Sequence, residues 1–175
     1  SRMGSTPRVS AATIGLGSDC CRGSDGRPFL RTGSYTSGAS PSQSFDEFLG
    51  VRYAEPMANA SARWRHATPK RPWSGVVDAL QYGPSCPSQR QPPGLAPSYA
   101  DRGYSEDCAF LNIWSPDVHA KRPLPVVLWI HGGSFIAGSG AQTLFNGSNI
   151  ARSVRNLVFV SINCGSMDLP LLLLF

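Results

Sequence analysis

The chain has 175 residues, 41% of them hydrophobic and 15% charged, with a net charge of +5. That is enough apolar material for one core, and too much for a wholly disordered chain. The basic excess raises nucleic acid as a partner, but the charges are scattered along the chain, which argues against a dedicated nucleic-acid binder.

Residues 1–44 are rich in Ser, Gly, Thr and Arg and read as a mobile N-terminal arm, with short edge strands near Phe29–Leu30 and Gly33–Tyr35. Phe45–Tyr53 is apolar and β-prone and predicts a strand stopped by Glu55-Pro56. Pro56, Pro69, Pro72 and Pro84 punctuate the next stretch, where little regular structure is expected. Pro84–Ala100 carries five prolines and reads as a loop. Phe110–Trp114 predicts a strand closed by Ser115-Pro116. Leu124–Ile130 and Leu157–Ile162 are continuous apolar runs, the pattern of strands buried on both faces of a parallel sheet. The 26 residues from His131 to Asn156 leave room for a glycine loop, a helix and a crossover. The helix is placed over Ser148–Arg155, with Ser148 as N-cap. Strand, loop, helix and strand together give an α/β class.

No apolar run approaches the roughly 20 residues of a spanning helix, and Leu169–Phe175 is too short. Ser1–Ser10 lacks the apolar core of a signal peptide. The cysteines are Cys20, Cys21, Cys86, Cys108 and Cys164, an odd number that leaves at least one outside any intrachain bridge.

The sharpest motif is Trp129-Ile-His-Gly-Gly-Ser-Phe135, at the end of the first apolar run. Two glycines let the backbone turn sharply and aim N–H groups into a cavity. Such donors suit the oxyanion that develops in acyl transfer. A plain strand-to-loop turn would use the same residues, and the motif alone does not choose.

Other segments choose. Phe48-Leu-Gly-Val-Arg-Tyr-Ala-Glu-Pro56, Arg63-Trp-Arg65 with Pro69 and Trp73, Ser105-Glu-Asp-Cys-Ala-Phe-Leu-Asn-Ile-Trp114, Val126–Phe135 and Val160-Ser-Ile-Asn163 stand in this order along the chain. Each resembles a signature of the type-B carboxylesterases, the family of carboxylesterases, cholinesterases and fungal lipases. The resemblance runs from about residue 45 to 163 and is far more specific jointly than singly.

The resemblance implies an incomplete α/β-hydrolase fold over 45–163, holding the N-terminal strands of the central sheet and the oxyanion loop, with 164–175 as a divergent Leu-rich tail. It implies hydrolysis of a small-molecule carboxylic ester through a serine acyl-enzyme, with no metal and no cofactor. By position it makes Gly133 and Ser134 the oxyanion-hole backbone donors and Gly132 the turn residue. Ser134 departs from the family's glycine, and its Cβ narrows the allowed backbone and crowds the hole. His131 would orient the loop. Cys86 and Cys108 fall where the family has a disulfide, with two buried thiols as the alternative. Glu106 and Asp107 would hold structural salt bridges, with Arg52 or Arg63 as partners. The basic, aromatic stretch Arg63–Trp73 reads as packing over a sheet edge in preference to a nucleic-acid surface. A secreted location is expected, with sequons at Asn59 and Asn146 as weak support.

No Gly-x-Ser-x-Gly elbow occurs in the 175 residues. After Asn163, where the family continues with Tyr-Arg, the chain reads Cys164-Gly-Ser-Met. The tail resembles an altered reading frame or a truncated gene. The expectation is therefore a portion of an ester hydrolase that carries part of the oxyanion hole and is inactive alone. The strand faces at 124–130 and 157–162 would then be exposed and aggregation-prone. A non-catalytic protein-binding relative of the same fold, docking through the Leu-rich tail, is the alternative.

Overall fold

The computed structural model describes residues 29–35, 44–56, 65–71, 76–87, 103–118, 120–134 and 137–164, the first of these by backbone alone. They form six strands: β1 (Phe29–Tyr35), β2 (Phe45–Arg52), β3 (Val76–Ala79), β4 (Phe110–Ser115), β5 (Val126–Ile130) and β6 (Val158–Ile162). One helix, α1 (Ser148–Ser153), lies between β5 and β6. The sheet order is β3-β1-β2-β4-β6-β5. Antiparallel pairing joins β1 to β2, β2 to β4 and β4 to β6, while β1–β3 and β5–β6 are parallel.

Two expectations about the N-terminal half need correcting. The short edge strands near 29–30 and 33–35 are one strand, β1, with a neighbour on each side. The proline-punctuated stretch contains β3, whose Val76–Ala79 pairs residue by residue with Phe29–Thr32. Both strands exist because a partner supplies their ladder bonds, which local composition does not report.

The β2–β4 ladder shifts register between Phe48 and Val51. Gly50 sits at the shift with φ +66°, and a Cβ there would lie 2.4 Å from the Gln81 carbonyl oxygen. Its N–H donates to Asn112 Oδ1 at 2.9 Å. Glycine is thus required twice, by dihedral and by close approach.

β4 is the centre of the core. Adjacent residues on a strand point to opposite faces, and Ile113 and Trp114 accordingly belong to different apolar clusters. Ile113 packs with Phe48, Val51, Val158, Val160 and Ile162. Trp114, fully buried, packs with Phe45, Tyr82, Ala151 and Phe159. Truncating a side chain of this size in such a setting costs about 3–5 kcal/mol. The Trp114 and Phe159 rings tilt against each other at 5.9 Å.

The two apolar runs have opposite fates. Every residue of β6 is buried, whereas β5 is between 41% and 59% exposed along its whole length. The two-sided burial that the apolar pattern suggests does not occur at β5, where the exposure expected for 124–130 is seen; the exposure expected for 157–162 does not occur. The reason is position: among the described residues β6 lies between β4 and β5, while β5 stands at the edge with one neighbour. Trp129 finds a ring contact with Phe145, 5.2 Å away.

The helix is shorter than expected and its cap differs. Gly147 is the N-cap and Ser148 is the first helical residue. Asn146 Oδ1 takes the Ser148 N–H at 2.9 Å instead. Gly147 presses on Trp114 and Phe159, where a Cβ would come within 2.7 Å of either ring. Ala151 is the helix residue that enters the core.

Candidate functional site

The candidate site grows from the register of β5 on β6. Ile130 pairs with Ile162, so His131 and Asn163 leave the sheet at the C-terminal ends of two parallel strands, and Cys164, one residue further on, reaches the His131 ring. Ligands in open α/β sheets collect at that end, where loops diverge and N–H and C=O groups lose their ladder partners.

Gly132, Gly133 and Ser134 follow at once and are exposed. The left-handed backbone falls on Gly133, φ +132°, and Ser134, φ +54°. A Cβ on Gly133 would lie 1.9 Å from the Ala137 carbonyl oxygen, whereas one on Gly132 would meet nothing within 4 Å. The residue that must be glycine is therefore Gly133. Ser134 accepts a conformation that non-glycine residues rarely adopt, at a cost of order 1–3 kcal/mol. The turn closes through the Ala137 N–H donating to Gly133 O at 3.1 Å. Gly138, φ +113°, seals it from behind: a Cβ there would strike His131 Nδ1 and Gly132 O.

His131 is oriented on both ring nitrogens. Nδ1–H donates to Gly132 O at 3.0 Å, which leaves Nε2 as the acceptor for the Cys164 thiol at 3.5 Å. Burial lowers the imidazole from its ordinary 6.5, against the opposing pull of the bond to Gly132. Burial likewise pushes the Cys164 thiol above its ordinary 9.0. At neutral pH the pair is a neutral S–H···N contact. Tyr53 stands close by; burial first, and then the Cys164 charge, push its phenol up.

Beneath the loop lies a buried polar hub. Asn163 Oδ1 accepts from Ser139 Oγ at 3.1 Å and from the Gly140 N–H at 2.9 Å. Its Nδ2 donates to Pro84 O at 3.0 Å and Cys108 O at 3.1 Å. Ser139 Oγ also accepts from Ser85 Oγ and the Ala141 N–H. Tyr53 Oη donates to Asn163 O at 2.6 Å. A buried amide with every hydrogen bond made fixes position strongly. Here it ties the end of β6 to the loop that carries Gly138.

Cys86 and Cys108 form the disulfide, with Cα atoms 5.0 Å apart. Cys108 O is one of the acceptors for Asn163, so the bridge also anchors the hub. Asp107 forms a two-pronged ion pair with Arg52, whose guanidinium also lies 4.4 Å from the Phe110 ring centre. This is the structural role expected of Asp107. In the basic stretch, Lys70 and Arg71 converge on Glu55; the Arg71 N–H, and then the Lys70 ammonium, hold its carboxyl below the usual range. Arg63 and Trp73 lie outside the described residues, as do Asn59 and the tail from 165. The Asn146 sequon lies within them, with Asn146 exposed.

Among the described residues no group of three or more His, Cys, Asp or Glu could hold a metal, and no helix is long and apolar enough to cross a membrane. A separate open cavity of about 450 Å³ is lined by Tyr82, Thr143, Leu144, Asn146, Ser148 and Asn149. None of residues 131–134, 163 or 164 lines it.

The model of the carboxylesterase family matches residues 32–164. The chain belongs to the carboxylesterase family. It is 38% identical over 139 residues to phenmedipham hydrolase of Pseudarthrobacter oxydans, covering 78% of this chain and 28% of that protein. It is 38% identical over 118 residues to fumonisin B1 esterase of Sphingopyxis macrogoltabida, covering 67% of this chain and 21% of that protein. It is 36% identical over 121 residues to acetylcholinesterase of Danio rerio, covering 66% of this chain and 19% of that protein. The chain thus spans between 19% and 28% of the length of these relatives. The mixed sheet, with one α-helix among the described residues, is a partial α/β-hydrolase fold. Sequence reasoning found the glycine loop but missed the Cys164–His131 pair, whose signal was the cysteine standing where the family carries tyrosine.

Proposed function

We propose that this carboxylesterase-family chain is the part of a carboxylic ester hydrolase that holds the substrate's carbonyl oxygen. Gly133 and Ser134 supply the two backbone donors. One observation carries the reading: both residues are exposed, with left-handed backbone, at the C-terminal end of a parallel strand. Neither N–H donates to another described residue. Donors already aimed need no reorganisation as charge builds on the oxygen, and each is worth about 10²–10³ in rate in ester chemistry.

The 175 residues contain no Gly-x-Ser-x-Gly, so the serine that would form the acyl-enzyme is not among them. Donors without that nucleophile polarise a carbonyl and turn nothing over. An oxidising, extracellular compartment fits the Cys86–Cys108 bridge. A second reading, a non-catalytic protein-binding relative, is favoured by one observation, the solvent-facing edge strand β5.

The test is a titration of the isotope-labelled chain with a phosphonate monoester anion, a stable mimic of the tetrahedral intermediate. The amide resonances of Gly133 and Ser134 should move first and furthest. Shifts spread over the basic surface, with those two amides unmoved, would reject the reading.

A further inference from the structure

The pair formed by Cys164 and His131 has the parts of a nucleophile and its general base, both neutral at rest because burial raises the thiol and lowers the imidazole, so the proton moves only as Sγ forms its new bond. A thiol lies within hydrogen-bond reach of an imidazole nitrogen, and a third group, the Gly132 carbonyl, holds the other nitrogen and so fixes the tautomer. The base is neutral and free to take a proton. The thiol is half-buried and reachable. The exposed donors of Gly133 and Ser134 follow His131 on the same loop. A structural S–H···N contact would need neither the orienting carbonyl nor the open donors.

We propose that Cys164 and His131 act together as an acyl acceptor, taking the acyl group of an activated carboxylic ester onto Cys164 Sγ as a thioester. His131 Nε2 takes the thiol proton while Sγ bonds to the ester carbonyl carbon. The bond from that carbon to the alcohol oxygen then breaks, and the imidazolium returns the proton to the departing oxygen. No oxidant, metal or second substrate enters. The inference rests on the reading of Gly133 and Ser134 as carbonyl donors, which would hold the tetrahedral oxygen. It differs from that reading in giving the chain a nucleophile of its own.

The 175-residue chain is treated separately with p-nitrophenyl acetate and with iodoacetamide, and the modified residue is located by peptide mapping. The expected result is a gain of one acetyl group at Cys164, formed faster in the native chain than in concentrated guanidinium. His131→Gln should slow both acetylation and alkylation at Cys164 by at least about tenfold. The denatured chain is the reference, so the comparison stands even where a variant folds poorly. Alkylation that depends on His131 without acetylation at Cys164 would overturn the acyl-acceptor inference and leave a reactive thiol. Native rates no higher than denatured ones would overturn the pair itself. Acetylation at Cys164 with no phosphonate-induced shift at Gly133 and Ser134 would reject the proposed function and the donor role, leaving the pair to act without them.

Discussion

The indole N–H of Trp114 donates to the Glu47 carboxylate at 2.6 Å, both groups being buried. Burial raises the Glu47 carboxyl above its ordinary 4.5, against the lowering effect of the bonds from Trp114 and Ser148. For an acid whose folded pKa is raised, the protonated form is favoured in the fold. Its contribution is complete below the unfolded value and is lost as pH rises through the folded value. Glu47→Gln keeps an acceptor for the indole and removes the titration. Relative to the parent, this variant should gain stability steadily as pH rises from about 4.5 toward neutral. Urea midpoints of the two chains across that range check it; a difference independent of pH contradicts it.

Asn163 carries more of the site's order than any charged group. Replacing it with alanine strands the Pro84 carbonyl and the Gly140 N–H, and takes one of two donors from the Cys108 carbonyl, which keeps the Phe110 N–H. Each buried group left unpaired costs about 1–3 kcal/mol, and relaxation recovers part, so a total loss of about 3 kcal/mol is expected. Denaturant unfolding measures the loss, and hydrogen exchange should show the 137–141 loop opening first.

The glycine loop offers a pair of opposed substitutions. Gly133→Ala places a Cβ against the Ala137 carbonyl oxygen and must displace the turn. It should weaken phosphonate binding at Gly133 and Ser134 by at least about tenfold. Ser134→Gly relieves a left-handed φ and should stabilise the chain by about 1 kcal/mol while leaving that binding in place. Equal effects of the two changes would show that the loop's conformation is not what positions the donors.

Opening the Cys86–Cys108 bridge by a double Cys→Ser change should cost about 3 kcal/mol for a sequence separation of 22. The cost should exceed this entropic figure if the Cys108 carbonyl also loses its hold on Asn163. The midpoint shift of the oxidised parent against the variant measures it.

Much of the sheet was legible because apolar, β-prone runs mark strands that pack on both faces. Phe45, Trp114 and Phe159 are examples, and β2, β4 and β6 fall within one or two residues of expectation. β3 was hidden, since Pro72 and Gly75 stand just before a four-residue strand whose ladder partner is β1. Exposure was expected of both apolar runs, and what their residues did not tell was which one has it, because Val126–Ile130 has the same apolar pattern as β6 and differs in being last in the described sheet. The glycine loop was legible from His131–Ser134. The Cys164–His131 pair was not, because 33 residues separate them and only the β5–β6 register joins them.

The proposed role of these 175 residues is to hold an ester carbonyl without the serine that turns it over. Its most direct measurement is the p-nitrophenol released when the folded chain meets excess p-nitrophenyl acetate. At most one equivalent per chain is expected, unchanged by any single Ser→Ala substitution. Sustained turnover that disappears on replacing one serine would contradict it.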